Sequence, residues 1–197
     1  MARTSVTKRV YCKEAVFLGS KDKPSLQAKL SEALSKLKKV GARKETLGDD
    51  GHYVRAVIYH RSYAGMLFGV LASYERGTHQ LTVADDDEAE MLTVEQVAPP
   101  KNDNNKRQEF LEGVCYFGIA KNHVVLVPSR ALGAKPMEHH VNWILEQAGL
   151  FGNNIRVGLS DQIAQATRER IRASHVKEVE IGAPLIDIQG VEAQPEI

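Results

Sequence analysis

Val114-Cys-Tyr-Phe-Gly-Ile-Ala120 and His123-Val-Val-Leu-Val-Pro128 are two apolar runs rich in β-branched and aromatic residues, separated only by Lys121-Asn122. A two-residue connection between such runs makes a tight antiparallel hairpin, and Asn122 is the residue expected to take the positive φ that the turn needs. His123 to Val127 reads as a buried strand. Directly after it, Ser129 to Lys135 leads through Pro136 into a change of period. Met137, Val141, Ile144, Leu145 and Ala148 share one helical face, and Gly149 suits the position after the last turn.

Working outward, the same hairpin grammar recurs upstream. Tyr53 to Tyr59 and Met66 to Tyr74 flank a turn at Ser62 to Gly65, and Gly77 turns the chain again towards His79 to Val83, which predicts a three-stranded meander. Met91 to Val97 reads as a further strand, and Val6 to Leu18 as one long or interrupted strand. Between Pro24 and Val40, Leu26, Leu30, Leu34 and Leu37 form one helical stripe, with Pro24 in the first turn and Gly41 beyond the last. A third helix is expected over Ser160 to Ala173, capped by Ser160 or Asp161, and a last strand over Val176 to Ile181. Runs of strands broken by single helices, without strict alternation, predict an α+β fold: a mainly antiparallel sheet of hairpins with about three helices packed on it. The expected organisation is one α+β domain over residues 1–181, followed by a tail or linker over residues 182–197, which holds Pro184 and Pro195.

Hydrophobic residues make up 43% of the 197 and charged residues 26%, which excludes disordered, collagenous and coiled-coil chains. No apolar run reaches the roughly 18 residues of a membrane span, and Met1 to Val10 has no secretory signature, so a cytoplasmic protein without direct membrane insertion is expected. Cys12 and Cys115 stand far apart, with no CxxC pair and no His at ligand spacing, and read as core thiols.

The formal net charge of +1 hides a strong segregation. Residues 1–47 hold 12 Lys and Arg against 4 Asp and Glu, whereas residues 48–99 hold 3 against 9. Lys36, Lys38, Lys39, Arg43 and Lys44 gather at the end of the first helix and in the loop leaving it. Cations in a last turn complement the helix dipole and keep a surface solvated, but five within nine residues also suit a phosphate-binding patch. Lys101, Lys106 and Arg107 lie in the most loop-like segment, after Pro99-Pro100. Arg168 and Arg172 share a face of the third helix, either as a solvated face or as a further backbone-contacting surface.

The residue patterns of common catalysts are missing: there is no GxSxG, HExxH, P-loop or GxGxxG. His139 and His140, neighbours on a helix, point about 100° apart, so they do not share a metal and read as a surface pair. His140 and Trp143 flank the core stripe and are candidates for an interface. Asp85, Asp86 and Asp87 open an acidic stretch that runs to Glu90 without the glycine and spacing of a calcium loop. Neither a metal site nor a cofactor is expected.

Two stretches resemble the RexA-like phage-exclusion proteins, whose fold is similar to that of the recombination-associated protein RdgC. They are Ser20-Lys-Asp-Lys-Pro-Ser-Leu26 before the Leu-striped helix, and Gly113-Val-Cys-Tyr-Phe-Gly-Ile-Ala-Lys-Asn-His-Val-Val-Leu-Val-Pro-Ser129 with the helix containing Val141-Asn-Trp-Ile-Leu145. The resemblance spans residues 20–149. It implies sequence-tolerant DNA binding, homodimerisation and a role in abortive infection, with signalling to a membrane partner. It transfers no contact residue, so the nominated phosphate contacts rest on charge alone.

The expected function is therefore non-enzymatic, largely sequence-independent DNA binding in phage exclusion, with duplex favoured over single strands and homo-oligomerisation expected. A base-stacking platform for single strands is the weaker variant, since most of the 12 aromatics fall in predicted strands. The alternatives are a module that senses a viral or effector protein through His140 and Trp143, and a metal-dependent nuclease or hydrolase using Asp85, Asp86 and Asp87.

Overall fold

The computed structural model describes residues 8–20, 24–83, 94–101, 104–105, 107–152 and 154–161. In chain order the strands and helices are β1 (Tyr11–Leu18), α1 (Leu26–Lys36), β2 (Lys44–Leu47), β3 (Tyr53–Tyr63), β4 (Met66–Glu75), β5 (Gln80–Val83), β6 (Val94–Val97), β7 (Gly113–Ala120), β8 (His123–Pro128), α2 (Ala134–Gln147) and β9 (Arg156–Asp161). Seven strands form one sheet in the order β2-β3-β4-β7-β8-β1-β9, and every neighbouring pair is antiparallel. The α+β expectation holds. Among the described residues there are two α-helices and a 3₁₀ turn (Val40–Arg43), not three helices.

Both helices lie on the same side of the sheet. Leu26, Leu30, Ala33 and Leu34 of α1 and Met137, Val141, Ile144 and Leu145 of α2 are buried with Leu67, Leu71, Cys115, Phe117, Ile119, Val124 and Leu126 of the strands. The alternation of each strand supplies that layer: in β7, Cys115, Phe117 and Ile119 face the helices while Val114, Tyr116 and Gly118 face away. Phe117 is seated against Gly69, where an added Cβ would stand 2.2 Å from its ring. Gly69→Ala is expected to destabilise the fold by about 1–3 kcal/mol through overpacking, read as a lower urea midpoint at unchanged slope.

The β7–β8 turn differs from expectation in one detail. Lys121, not Asn122, takes the left-handed conformation (φ 54°). Asn122 is occupied elsewhere: its Oδ1 accepts from the Leu26 backbone N–H at 2.7 Å, while Gln27 Oε1 accepts from Lys121 N–H at 2.7 Å. The hairpin turn thus satisfies donors at the start of α1 and docks that helix. In the β3–β4 hairpin Ala64 and Gly65 both have positive φ, as a two-residue turn of this hand requires.

Three expectations are corrected. The strand near His79 to Val83 does not complete a meander with β4; β5 pairs with β6 in a separate two-stranded ribbon, so the chain leaves the sheet before returning as β7. Ser160 and Asp161, where the third helix is expected to begin, are strand residues of β9, registered against Glu14 and Lys13. Cys12 is exposed, since its register opposite Val125 places it on the side away from the helices; Cys115 alone is a core thiol, its pKa pushed up to about 11 by burial. The remainder of the expected third helix, the strand at Val176 to Ile181, the 181/182 boundary, the tail and the acidic stretch from Asp85 to Glu90 lie outside the described residues.

Candidate nucleic-acid interface

The sheet face opposite the helices is exposed towards the β3–β4 turn, whereas Val54, Ala56 and Ala72 on the same face are fully buried. On β3 and β4 a register shift between Val57 and Tyr59 brings Tyr59, Arg61 and Tyr63 to that face, opposite Val70, Phe68 and Met66. Val70 and Phe68 are in turn opposite Tyr116 and Gly118 of β7. Tyr59, Tyr63, Phe68 and Tyr116 are 53%, 66%, 38% and 57% exposed, which is unusual for four aromatic rings on one face. With strands about 4.8 Å apart, Tyr59 and Tyr116 stand about 10 Å from each other across Val70, and Phe68 lies diagonal to both. Gly118 leaves room for the Phe68 ring, which a Cβ there would meet at 3.2 Å.

Glu14 of β1 registers on this face opposite His123, towards the β9 edge. The five strands β2, β3, β4, β7 and β8 carry two carboxylates, Glu45 and Glu75, and both register with the helix side, opposite Arg55 and Tyr53. Lys44 and Arg61 register with the open side. The Lys44 ammonium lies 5.8 Å from the centre of the Tyr74 ring, and the Arg61 guanidinium 6.0 Å from that of Tyr63. On these five strands, aromatic rings interleaved with cations and free of acids are therefore presented together.

The nominated cations are dispersed by this fold. Of the first five, Lys38 and Lys39 are exposed, and Lys36 is engaged, with its Nζ 3.2 Å from Glu32 Oε1 and 3.4 Å from the Ala148 carbonyl at the end of α2. Lys44 reaches the open face. Arg43 does not belong to a surface patch: it is 5% exposed on the helix side, and among the described residues its Nε and Nη1 have no hydrogen-bond partner. In place of the expected loop, a 3₁₀ turn running into β2 sends Arg43 and Lys44 to different environments. Lys101 and Arg107 form an isolated β-bridge, and Arg107 Nε lies 2.8 Å from Glu109 Oε1. Lys106, Arg168 and Arg172 lie outside the described residues.

His140 is corrected from surface to core. It is fully buried, and its Nδ1–H donates to Glu45 Oε2 at 2.8 Å, while Arg55 Nη1 lies 3.5 Å from the same oxygen and donates to the Pro136 carbonyl at 3.2 Å. The Trp143 ring stacks on the imidazole at 5.4 Å and 17°, and itself lines a cleft of about 490 Å³ with Glu138, His139 and Glu146. Among the described residues, His140 Nε2 has no hydrogen-bond partner. Burial holds the His140 pKa below its ordinary value, against the raising effect of Glu45 and with the Arg55 charge adding to the lowering. His60 is lowered likewise, by burial and then by Arg43.

A histidine with a depressed folded pKa must take up a proton on unfolding in acid. The stability associated with these two side chains is thus complete above the ordinary value of 6.5 and falls as pH drops below it. Urea midpoints at pH 7.5 and pH 5.5 should show the loss, and His140→Gln should reduce its size.

Among the described residues, no group of His, Cys, Asp and Glu side chains could hold a metal ion, and no helix is long and apolar enough to cross a membrane. No protein-family model, curated protein or solved structure matches the chain. The aromatic residues of the open face were not nominated from the sequence. The signal was the period-2 alternation through β3, β4 and β7, but only the cross-strand register brings their outward positions together.

Proposed function

We propose that this protein binds single-stranded nucleic acid across the open face of its sheet. The observation that carries the reading is the combination of four exposed aromatic rings with Lys44 and Arg61 on a five-strand face whose carboxylates all point the other way. Every base offers a π-face, so such a platform stacks bases without reading sequence, and the cations attract the phosphates between them. Duplex DNA hides its base faces, so this geometry favours single strands over the duplex expected from charge alone. The resemblance to phage-exclusion proteins supplies DNA as the ligand and abortive infection as the setting.

The test is fluorescence anisotropy of a labelled oligo-dT against the full chain over a salt series. With Lys44 and Arg61 each neutralising a phosphate, the log–log salt slope should be roughly −1.4. Cys12 supplies a second readout, because it is exposed on the same side as Phe68 while Cys115 is buried. Bound oligonucleotide should slow maleimide labelling of Cys12. A duplex bound as tightly as the single strand, or a self-association that shields Cys12 without nucleic acid, would count against the reading.

A further inference from the structure

We infer a second site, separate from the aromatic face and independent of the reading above: the cleft where α2 begins binds a phosphate group. The cleft has a volume of about 540 Å³ and is lined by Lys8, Arg9, Tyr11, Lys13 and Arg130, with Gly133 at the helix start. Four of these side chains are cationic and none is acidic. Lys13 is paired at 2.5 Å with Asp161, whose exposed carboxylate does not line the cleft. Lys8, Arg9 and Arg130 are exposed and, among the described residues, form no ion pair.

Four cations and one carboxylate in one place, on a chain whose formal net charge is +1, repel one another unless an anion joins them. The helix end adds to the same potential. Gly133 offers α2 no side-chain cap, and the first turn of the helix contains no acidic residue. The Ala134 and Lys135 N–H groups precede the first intrahelical donor, Met137, and Pro136 has no N–H to present. The volume falls in the range of small-ligand sites and exceeds what a bare phosphate needs, and Tyr11 provides a ring beside the cations. The ligand chemistry is therefore a phosphate carried on an organic group, either a phosphomonoester or a phosphodiester.

The experiment is an ¹⁵N NMR titration of the full chain at constant ionic strength with inorganic phosphate, with thymidine 5′-monophosphate and with the dinucleotide diester thymidylyl-thymidine. Saturable shifts confined to Arg9, Lys13, Arg130, Ala134 and Lys135 are expected. Arg9→Gln and Arg130→Gln should each weaken binding about tenfold, and because both side chains are exposed the fold should be unaffected. A diester bound as tightly as the monoester assigns the site to a strand backbone, whereas a preference for the monoester assigns it to a terminal or free phosphate. Shifts that remain linear for all three anions, or an affinity unchanged in both variants, overturn the proposal. Tyr59→Ala serves as the control, since loss of oligo-dT binding on the open face should leave the phosphate shifts in place.

Discussion

Replacing Tyr59, Phe68 and Tyr116 together by Ala should lower affinity for oligo-dT by roughly 100-fold or more, since aromatic stacking contributes about 1–3 kcal/mol per base on such platforms. All three rings are substantially exposed on the side of the sheet away from the helices, so their removal leaves the buried layer intact. The cost in strand propensity is up to about 1 kcal/mol per site, and far-ultraviolet circular dichroism with a thermal melt would register it separately. Tyr59→Leu with Tyr116→Leu keeps apolar area and removes the π-faces. If stacking holds the bases, that pair should lose binding nearly as fully as the Ala pair. If the Leu pair binds like the parent, the face is an apolar docking surface and the nucleic-acid reading fails. Lys44→Gln with Arg61→Gln should reduce the salt slope by about 1.4 and weaken single strands of any sequence alike.

The second large effect is on stability. Glu45→Ala should destabilise the protein by about 3–5 kcal/mol, because it strips Arg55 and His140 of their shared acceptor inside the structure. Glu45→Gln preserves an acceptor oxygen and should cost less. Replacing the set together, with Glu45→Leu, Arg55→Met and His140→Leu, removes the charges and their need for partners, and should return most of the lost stability. Urea unfolding of the three variants measures this directly, and a triple variant as unstable as Glu45→Ala would show that packing volume, not charge pairing, governs the site. The same set should also lack most of the acid sensitivity attributed above to His140, leaving that of His60.

Much of this architecture is written in local pattern. The two runs around Lys121-Asn122, the Leu stripe of α1 and the Met137 to Ala148 stripe of α2 each bury one face at a period set by their own backbone, and each occurs where its period places it. The hairpin at Ala64-Gly65 is legible for the same reason: its turn chemistry is contained in two residues.

What the sequence could not say concerns partners distant along the chain. Charge counting groups Lys36, Lys38, Lys39, Arg43 and Lys44 because they are near in sequence. The fold scatters them over a helix end, a buried side and an open face, since adjacent residues in an extended segment point opposite ways. His140 looked like half of a surface pair until β2 delivered Glu45 to it from 95 residues away. Local pattern is enough to place the strands β3, β4, β7 and β8, the two helices with their apolar faces and the α+β class, because those properties depend on neighbours within a few residues. It misses the four-residue β2, and it assigns Ser160 and Asp161 to a helix because β9 is held by β1, a partner distant along the chain. That Tyr59, Phe68 and Tyr116 share one surface and that Lys8, Lys13 and Arg130 share a cleft follows from strand order and register, which bring together side chains whose sequence separation carries no information about their distance.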